Sequence, residues 1–290
     1  MIRTYTDDQI AEFCAFYERH GAVRLPGLLD ADTVRLTLEA IDRVAARADD
    51  PAPPDSDLSF GRAPGRMTIR HIWRNDPHVR ALMMSKELSE PLARIVGGRE
   101  LRFWYDLTFI HEEADSGIEG EGTPWHHDIS SFGFQGERLP SLWMALTPAD
   151  EARSRLRFVD GSHKSAPGFY RPSARPAPDE PDGLSPLPDF ESQIASGEAR
   201  ELTWNCDPGD AIVIHPYQVH GAKGNKGAAG AGRRVAITTR WLGDDVRFLP
   251  ADYKRSLSAV EMPKSARRRL TIGCKPPDDC FPLVQSFSVT

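Results

Sequence analysis

The hydrophobic period of this chain changes near residue 100, and that change constrains its fold more than any other feature. Before it, apolar residues recur at helical spacing. Ile10, Phe13, Cys14 and Tyr17 follow the helix start Thr6-Asp7-Asp8 and stop at Gly21. Asp30 or Asp32 can cap a second helix, with Val34, Leu36, Leu38, Ile41 and Val44 as its apolar face. A third pattern runs from Pro77 to Val96, residues 22–25 read as a short strand, and the Pro- and Gly-rich stretch 49–66 reads as a loop. After residue 100 the chain becomes a series of short aromatic and β-branched runs: LRFWYDLTFI, SLWMALT, RLRFV, DAIVIH and RVAITTRW. Strands and helices do not alternate, which argues against a parallel doubly wound sheet. The pattern predicts a mainly β fold with N-terminal helices, as an antiparallel barrel or double-sheet jelly roll.

With 290 residues the chain has ample material for one large core. We expect a single domain over 1–290. Residues 1–100 give mostly helical support and 101–245 the jelly-roll core. The Pro-rich stretch 165–199 is a lid-like insertion over one end of the barrel, carrying Phe169 and Tyr170, and 246–290 is a C-terminal extension.

A net charge of −6 argues against a nucleic-acid partner, because phosphate binding needs a basic face. The local cluster Arg267-Arg268-Arg269 reads as a solvated surface. The N-terminus MIRTYTDDQIAEF lacks the apolar core of a signal peptide, and no apolar run is long enough for a membrane helix. Cys14, Cys206, Cys274 and Cys280 form no CxxC pair. These observations predict free thiols and a cytoplasmic protein without a membrane partner, and they leave the oligomeric state open.

The chemistry-bearing segment is Thr123-Pro124-Trp125-His126-His127-Asp128. Side chains of an extended segment alternate faces, so His126 and Asp128 point one way and His127 the other. One metal can then be bound from one strand, with His220 of IHPYQVHGAKGN as the third ligand. Two histidines and one carboxylate leave coordination positions open, the arrangement of non-haem iron(II) that activates oxygen. A bare HxD is a weak signal. It gains weight from the order in which HxD, a distal histidine and then Arg233-Arg234 follow one another. The distal carboxylate of a 2-oxo acid needs a fixed cation, and arginine's planar fork suits it. Alternation favours Arg234 over Arg233. Arg234, Ala236, Thr238 and Arg240 share one strand face, where small Ala236 and Thr238 leave room for a ligand, while Val235 and Ile237 pack behind. Trp104, Tyr105, Phe132 and Phe134 are candidate substrate contacts.

With these residues in view the chain resembles the phytanoyl-CoA dioxygenase family. The matching segments are TPWHHD, SLWMALTPAD, LRFVDGSHK, PGDAIVIHPYQVHGAKGN and RRVAITTRWLGDD, across roughly residues 100–245. The resemblance implies a double-stranded β-helix, cupin-like core that uses iron(II), 2-oxoglutarate and dioxygen. It implies His126, Asp128 and His220 as iron ligands and Arg234 as the cofactor arginine. It also matches Trp143 to a tryptophan that lines the cofactor pocket of relatives. Many relatives carry a small polar residue two positions after the distal histidine, where this chain has Ala222. Related halogenases replace the carboxylate ligand by a small residue, so the presence of Asp128 disfavours halogenation. The resulting expectation is a dioxygenase that hydroxylates a small organic metabolite or lipid-like acid and releases succinate and carbon dioxide. Desaturation, epimerisation or rearrangement with the same cofactors, and a non-catalytic cupin-like binding protein, are the alternatives.

Overall fold

The structure is a computed structural model that describes residues 1–50, 56–112, 122–165, 170, 184–224, 232–249 and 262–287. Helix α1 (Asp7–His20) starts on a reciprocal cap. The Thr6 hydroxyl accepts from the Gln9 amide, and the Gln9 side chain accepts from the Thr6 amide. It stops where Gly21 adopts φ 77°, a left-handed conformation that glycine takes without a Cβ penalty. Strand β1 (Ala22–Leu25) follows. The cap of α2 (Ala31–Ala45) is Asp30 rather than Asp32, since the Asp30 carboxylate accepts from the Thr33 amide at 2.9 Å. The buried face of α2 is Val34, Thr37, Ala40, Ile41 and Val44, whereas Leu36 points outward at 39% exposure.

Two elements differ from the sequence reading. The stretch 49–66, read as a loop, holds strand β2 (Ser59–Ala63), which forms a hairpin through Gly65, at φ 65°, with β3 (Arg66–Arg70). The pattern read as one helix from Pro77 to Val96 is two, α3 (Pro77–Met83) and α4 (Lys86–Ile95). Ser85 divides them, because its side chain caps the Leu88 amide and starts a new helix.

The remaining strands are β4 (Glu100–His111), β5 (Thr123–His126), β6 (Phe134–Gln135), β7 (Ser141–Ala145), β8 (Leu156–Val159), β9 (Glu201–Thr203), β10 (Ala211–Ile214), β11 (His220–Ala222), β12 (Arg234–Gly243), β13 (Arg247–Phe248) and β14 (Leu283–Ser286). Short helices α5 (Ser162–Ser165) and α6 (Phe190–Ser196) lie between β8 and β9. The large sheet runs β1-β10-β7-β12-β4-β3-β2, with β14 also on β4. The second sheet runs β5-β11-β8-β9, and β6 pairs with β13. Every strand pair is antiparallel. This is the mainly β, jelly-roll architecture that the period change predicts.

Alternation along the large sheet separates two cores. Leu142, Met144, Val235 and Ile237 pack on the helix side with residues of α1 to α4. Trp143, Ala145, Ile212, Ile214 and Ala236 face the second sheet, where they meet Leu156, Phe158 and Ala222. The inward face of β7 and β12 therefore looks at β11, which carries His220. A third cluster joins Trp104, Tyr105, Phe132 and Phe134 to Phe281 and Cys280 from the C-terminal region.

Of the Pro-rich insertion, Phe169 and residues 171–183 lie outside the described residues, as does most of the Gly-Ala hairpin at 225–231. The four cysteines are free thiols. No helix among the described residues is long and apolar enough to cross a membrane.

Candidate active site

Strands β5 and β11 pair so that His126 and His220 are direct cross-strand partners. Their ring centroids are 4.3 Å apart. This close approach depends on Gly221, where a Cβ would meet the Thr123 carbonyl oxygen at 2.8 Å. Strand β5 ends at His126, two residues earlier than an HxD wholly within a strand would need. His127 keeps an extended backbone, φ −118° and ψ 144°, so alternation persists, and Asp128 opens a short 3-10 turn through Ser131. Asp128 thus still faces His126. The His126 Nε2 lies 3.8 Å from Asp128 Oδ1, and the His220 Nε2 lies 3.9 Å from the same oxygen. Ligand atoms of the three residues all fall within 4.8 Å of one another.

Both imidazoles are oriented by their own backbone. The Nδ1 of His126 is 2.8 Å from the Pro124 carbonyl, and the Nδ1 of His220 is 2.9 Å from the Gln218 carbonyl. A carbonyl only accepts, so each Nδ1 carries the proton and each Nε2 presents a lone pair to the shared space. Burial, and then the neighbouring His126, lower the His220 imidazole to about 3 against the pull of Asp128. It is therefore neutral at ordinary pH, the form that binds a metal.

Asp128 is held from two sides. The Ser141 hydroxyl donates to Oδ2 at 2.8 Å, and the Arg240 guanidinium donates to Oδ1 at 3.0 Å. Burial alone would raise this carboxyl. Arg240, followed by His220, His126 and the Ser141 hydrogen bond, outweighs burial and brings it down to about 2. The carboxylate is ionised and fixed in direction.

His126 and His220 border a cavity that holds about 470 Å³ of empty space, part of it continuous with solvent. Its lining includes Phe109, Trp143, Leu156, Ile214, Ala222, Arg234, Thr238 and Arg240. Arg234 is 3% exposed, and its guanidinium carbon sits 5.3 Å from the Trp143 ring centroid. No described carboxylate pairs with it, and its Nε has no hydrogen-bond partner. Burial pulls its ionisation down to about 10, so it remains a cation. Its β4 neighbour His111, which burial and then Arg234 and Arg66 lower to about 3, stays neutral beside it. Arg233 instead points outward to Asp42, at 2.7 Å. A buried guanidinium without a counter-ion is costly, and an acidic ligand entering the cavity satisfies it.

Trp104, Tyr105, Phe132 and Phe134 do not line this cavity. Trp104 packs edge-on to the other three, with centroids 5.0 to 5.1 Å apart. Residues 104 and 105 fall on one side of the sheet because the register of β4 against β12 shifts between Arg240 and Trp241. Asp106 is also away from the cavity, where its carboxylate accepts from the Ile72 and Trp73 amides. Sequence reasoning missed Ser141 and the contact between Arg240 and Asp128. The available signal was the placement of Arg240 on the same alternating face as Arg234 and Thr238.

A family model for phytanoyl-CoA dioxygenase matches residues 17–235. The chain belongs to the phytanoyl-CoA dioxygenase family. Membership makes it an iron- and 2-oxoglutarate-dependent oxygenase, the class and cofactors expected from its motifs. Among sequence relatives, 1-deoxypentalenic acid 11-beta-hydroxylase of Streptomyces arenae is 26% identical over 261 residues, covering 87% of this chain and 86% of that protein. Among solved structures, the epimerase SnoN in complex with Fe3+, alpha ketoglutarate and nogalamycin RO superposes with a TM-score of 0.73 at 20% identity, covering 97% of this chain and all of that one. The carbocyclase SnoK from nogalamycin biosynthesis gives a TM-score of 0.70 at 20% identity, covering 94% of this chain and 96% of that one. The shared fold thus serves enzymes with different reaction outcomes.

Proposed function

We propose that this member of the phytanoyl-CoA dioxygenase family hydroxylates a small organic metabolite or lipid-like acid. His126, Asp128 and His220 hold the iron, and Arg234 binds the distal carboxylate of 2-oxoglutarate above Trp143, with Thr238 beside it. The observation that carries this reading is a buried guanidinium, with no carboxylate partner among the described residues, in the cavity that His126 and His220 border.

Bound iron with 2-oxoglutarate and dioxygen supplies the oxidising power, and the protein supplies placement. The Pro124 and Gln218 carbonyls keep both Nε2 atoms aimed at one point. Ser141 and Arg240 stop Asp128 from rotating away. Phe109, Leu156, Ile214 and Ala222 supply apolar walls that limit water at the reacting end.

The test begins without oxygen. Adding iron(II) and then 2-oxoglutarate to the metal-free protein should give the weak visible charge-transfer band of the chelated cofactor. Admitting oxygen should then give succinate. A protein that shows neither is the cupin-like binding protein without oxygen chemistry. Product mass decides the outcome, because hydroxylation adds one oxygen atom, whereas desaturation removes two hydrogens and epimerisation leaves the mass unchanged.

A further inference from the structure

Among the described residues, Arg240 is engaged by only one of its nitrogens. Its Nη2 donates to Asp128, while Nε and Nη1 are buried without a hydrogen-bond partner. The side chain is 8% exposed and lines the same cavity as Arg234. The ring of Phe132 lies 5.4 Å from its guanidinium carbon, which holds the plane of the fork. Arg240 and Arg234 are six positions apart on β12, so the cavity has a cation near the metal-binding end and another away from it.

We infer that Arg240 is a specificity-determining residue that presents a free N–H donor to a carboxylate or comparable oxyanion on the substrate. The inference rests on the iron and 2-oxoglutarate reading above and adds the substrate's chemical class to it.

Two physical arguments converge. The first is satisfaction. A buried guanidinium N–H left without an acceptor is costly, and a charge-assisted bond repays more of that cost than a neutral acceptor does. The second is charge. When the cofactor's distal carboxylate is on Arg234, the metal-binding end holds a divalent ion and the Arg240 guanidinium against the Asp128 carboxylate and the cofactor's second carboxylate. One positive charge is left without a partner in a low-dielectric pocket, and an anionic substrate group closes the balance. Phe109, Leu156 and Ile214 are apolar, so the favoured ligand has an apolar body and one anionic group.

The experiment uses the full chain loaded with iron(II) and 2-oxoglutarate under anaerobic conditions. The probes are adamantane-1-carboxylate and its primary amide, which share one apolar skeleton and differ in charge. Calorimetry and the charge-transfer band read binding. The wild type should favour the acid by about tenfold or more. Arg240→Met should reduce that preference to within about twofold, read at iron(II) and 2-oxoglutarate concentrations that saturate the variant, because loss of the Asp128 contact also weakens the metal site. Arg240→Lys keeps a cation beside Asp128 and serves if the methionine variant fails to fold. It should lose about three- to tenfold of the acid preference, because one ammonium lacks the fork that serves two carboxylates.

Equal binding of acid and amide, no binding of the acid, or an acid preference retained in the variants overturns the assignment. So does a tenfold fall in 2-oxoglutarate affinity with the probe preference intact, which would give the free N–H groups to the cofactor. A wild type that shows no charge-transfer band refutes the iron reading instead, and calorimetry still reports whether the acid is preferred.

Discussion

The guanidinium carbon of Arg234 lies 5.3 Å from the ring centroid of Trp143, across the pair of strands β12 and β7. The indole supplies a face for the cation but no counter-charge, so the charge is left for a ligand. Arg234→Met should weaken 2-oxoglutarate binding by about ten- to a hundredfold, the range of a lost charged hydrogen-bond pair. Anaerobic titration of the charge-transfer band measures it. Arg233→Met removes the outward ion pairs with Asp42 and Glu112 and should leave the affinity within about threefold. If the two variants behave alike, the face assignment along β12 is wrong.

His126→Ala and Asp128→Ala should each abolish stoichiometric iron(II) binding. Loss of a ligand costs more than the roughly 10–100-fold that follows loss of an outer partner. Metal content after equilibrium dialysis gives the answer directly. Either variant retaining one tight iron per chain would refute the proposed ligand set.

Ser141→Ala removes the hydroxyl that holds Oδ2 of Asp128. The protein should fold normally, since serine and alanine differ by one atom in a fully buried strand position. Iron affinity should fall by about tenfold. A competing chelator titration measures the change, and affinity equal to wild type would show that Arg240 alone orients the carboxylate.

Asp106 links pH to stability at a distance from the cavity. Burial pushes its carboxyl up to about 7, against the opposing pull of the Trp73 and Ile72 amides. Below pH about 4 the group is protonated in folded and unfolded chains alike. Between about 4 and 7 the unfolded chain gives up the proton first, so stability falls as pH rises, and above about 7 the loss is complete. Asp106→Asn abolishes that ionisation and leaves one of the two amides short of an acceptor, at a cost of about 1–3 kcal/mol. Urea unfolding across pH 4 to 8 should therefore show a steeper decline for wild type than for the variant. Parallel curves would remove Asp106 from the balance.

What the sequence revealed follows physical rules of uneven reach. Alternation placed His126 and Asp128 on one side and Arg234 opposite Val235, because extended backbone fixes side-chain direction whatever surrounds it. It put Arg240 on the same face as Arg234 but could not pair it with Asp128, since the carboxylate that a strand arginine meets is fixed only when the partner sheet is known. The β2–β3 hairpin was hidden because Ser59-Phe60-Gly61 and Arg66-Met67-Thr68 carry few apolar residues beside a long, bordering β4. Leu36 looked like core and is not, because the helical period selects Thr37 for the inner face. Trp104, Tyr105, Phe132 and Phe134 were marked by their size, and a large aromatic fills a core as readily as it lines a cavity.

Both sequence neighbours of His126 face away from the metal-binding side chains and take hold of the insertion. The Tyr170 amide donates to His127 Nε2 at 2.8 Å, and the Trp125 indole donates to Glu191 at 3.1 Å. Arg157 grips the same Glu191 at 2.6 Å. The stretch from Tyr170 to Glu191 is thus moored at both ends to the two residues that bracket one imidazole. Movement of either mooring therefore reaches the backbone of His126 through a single peptide unit.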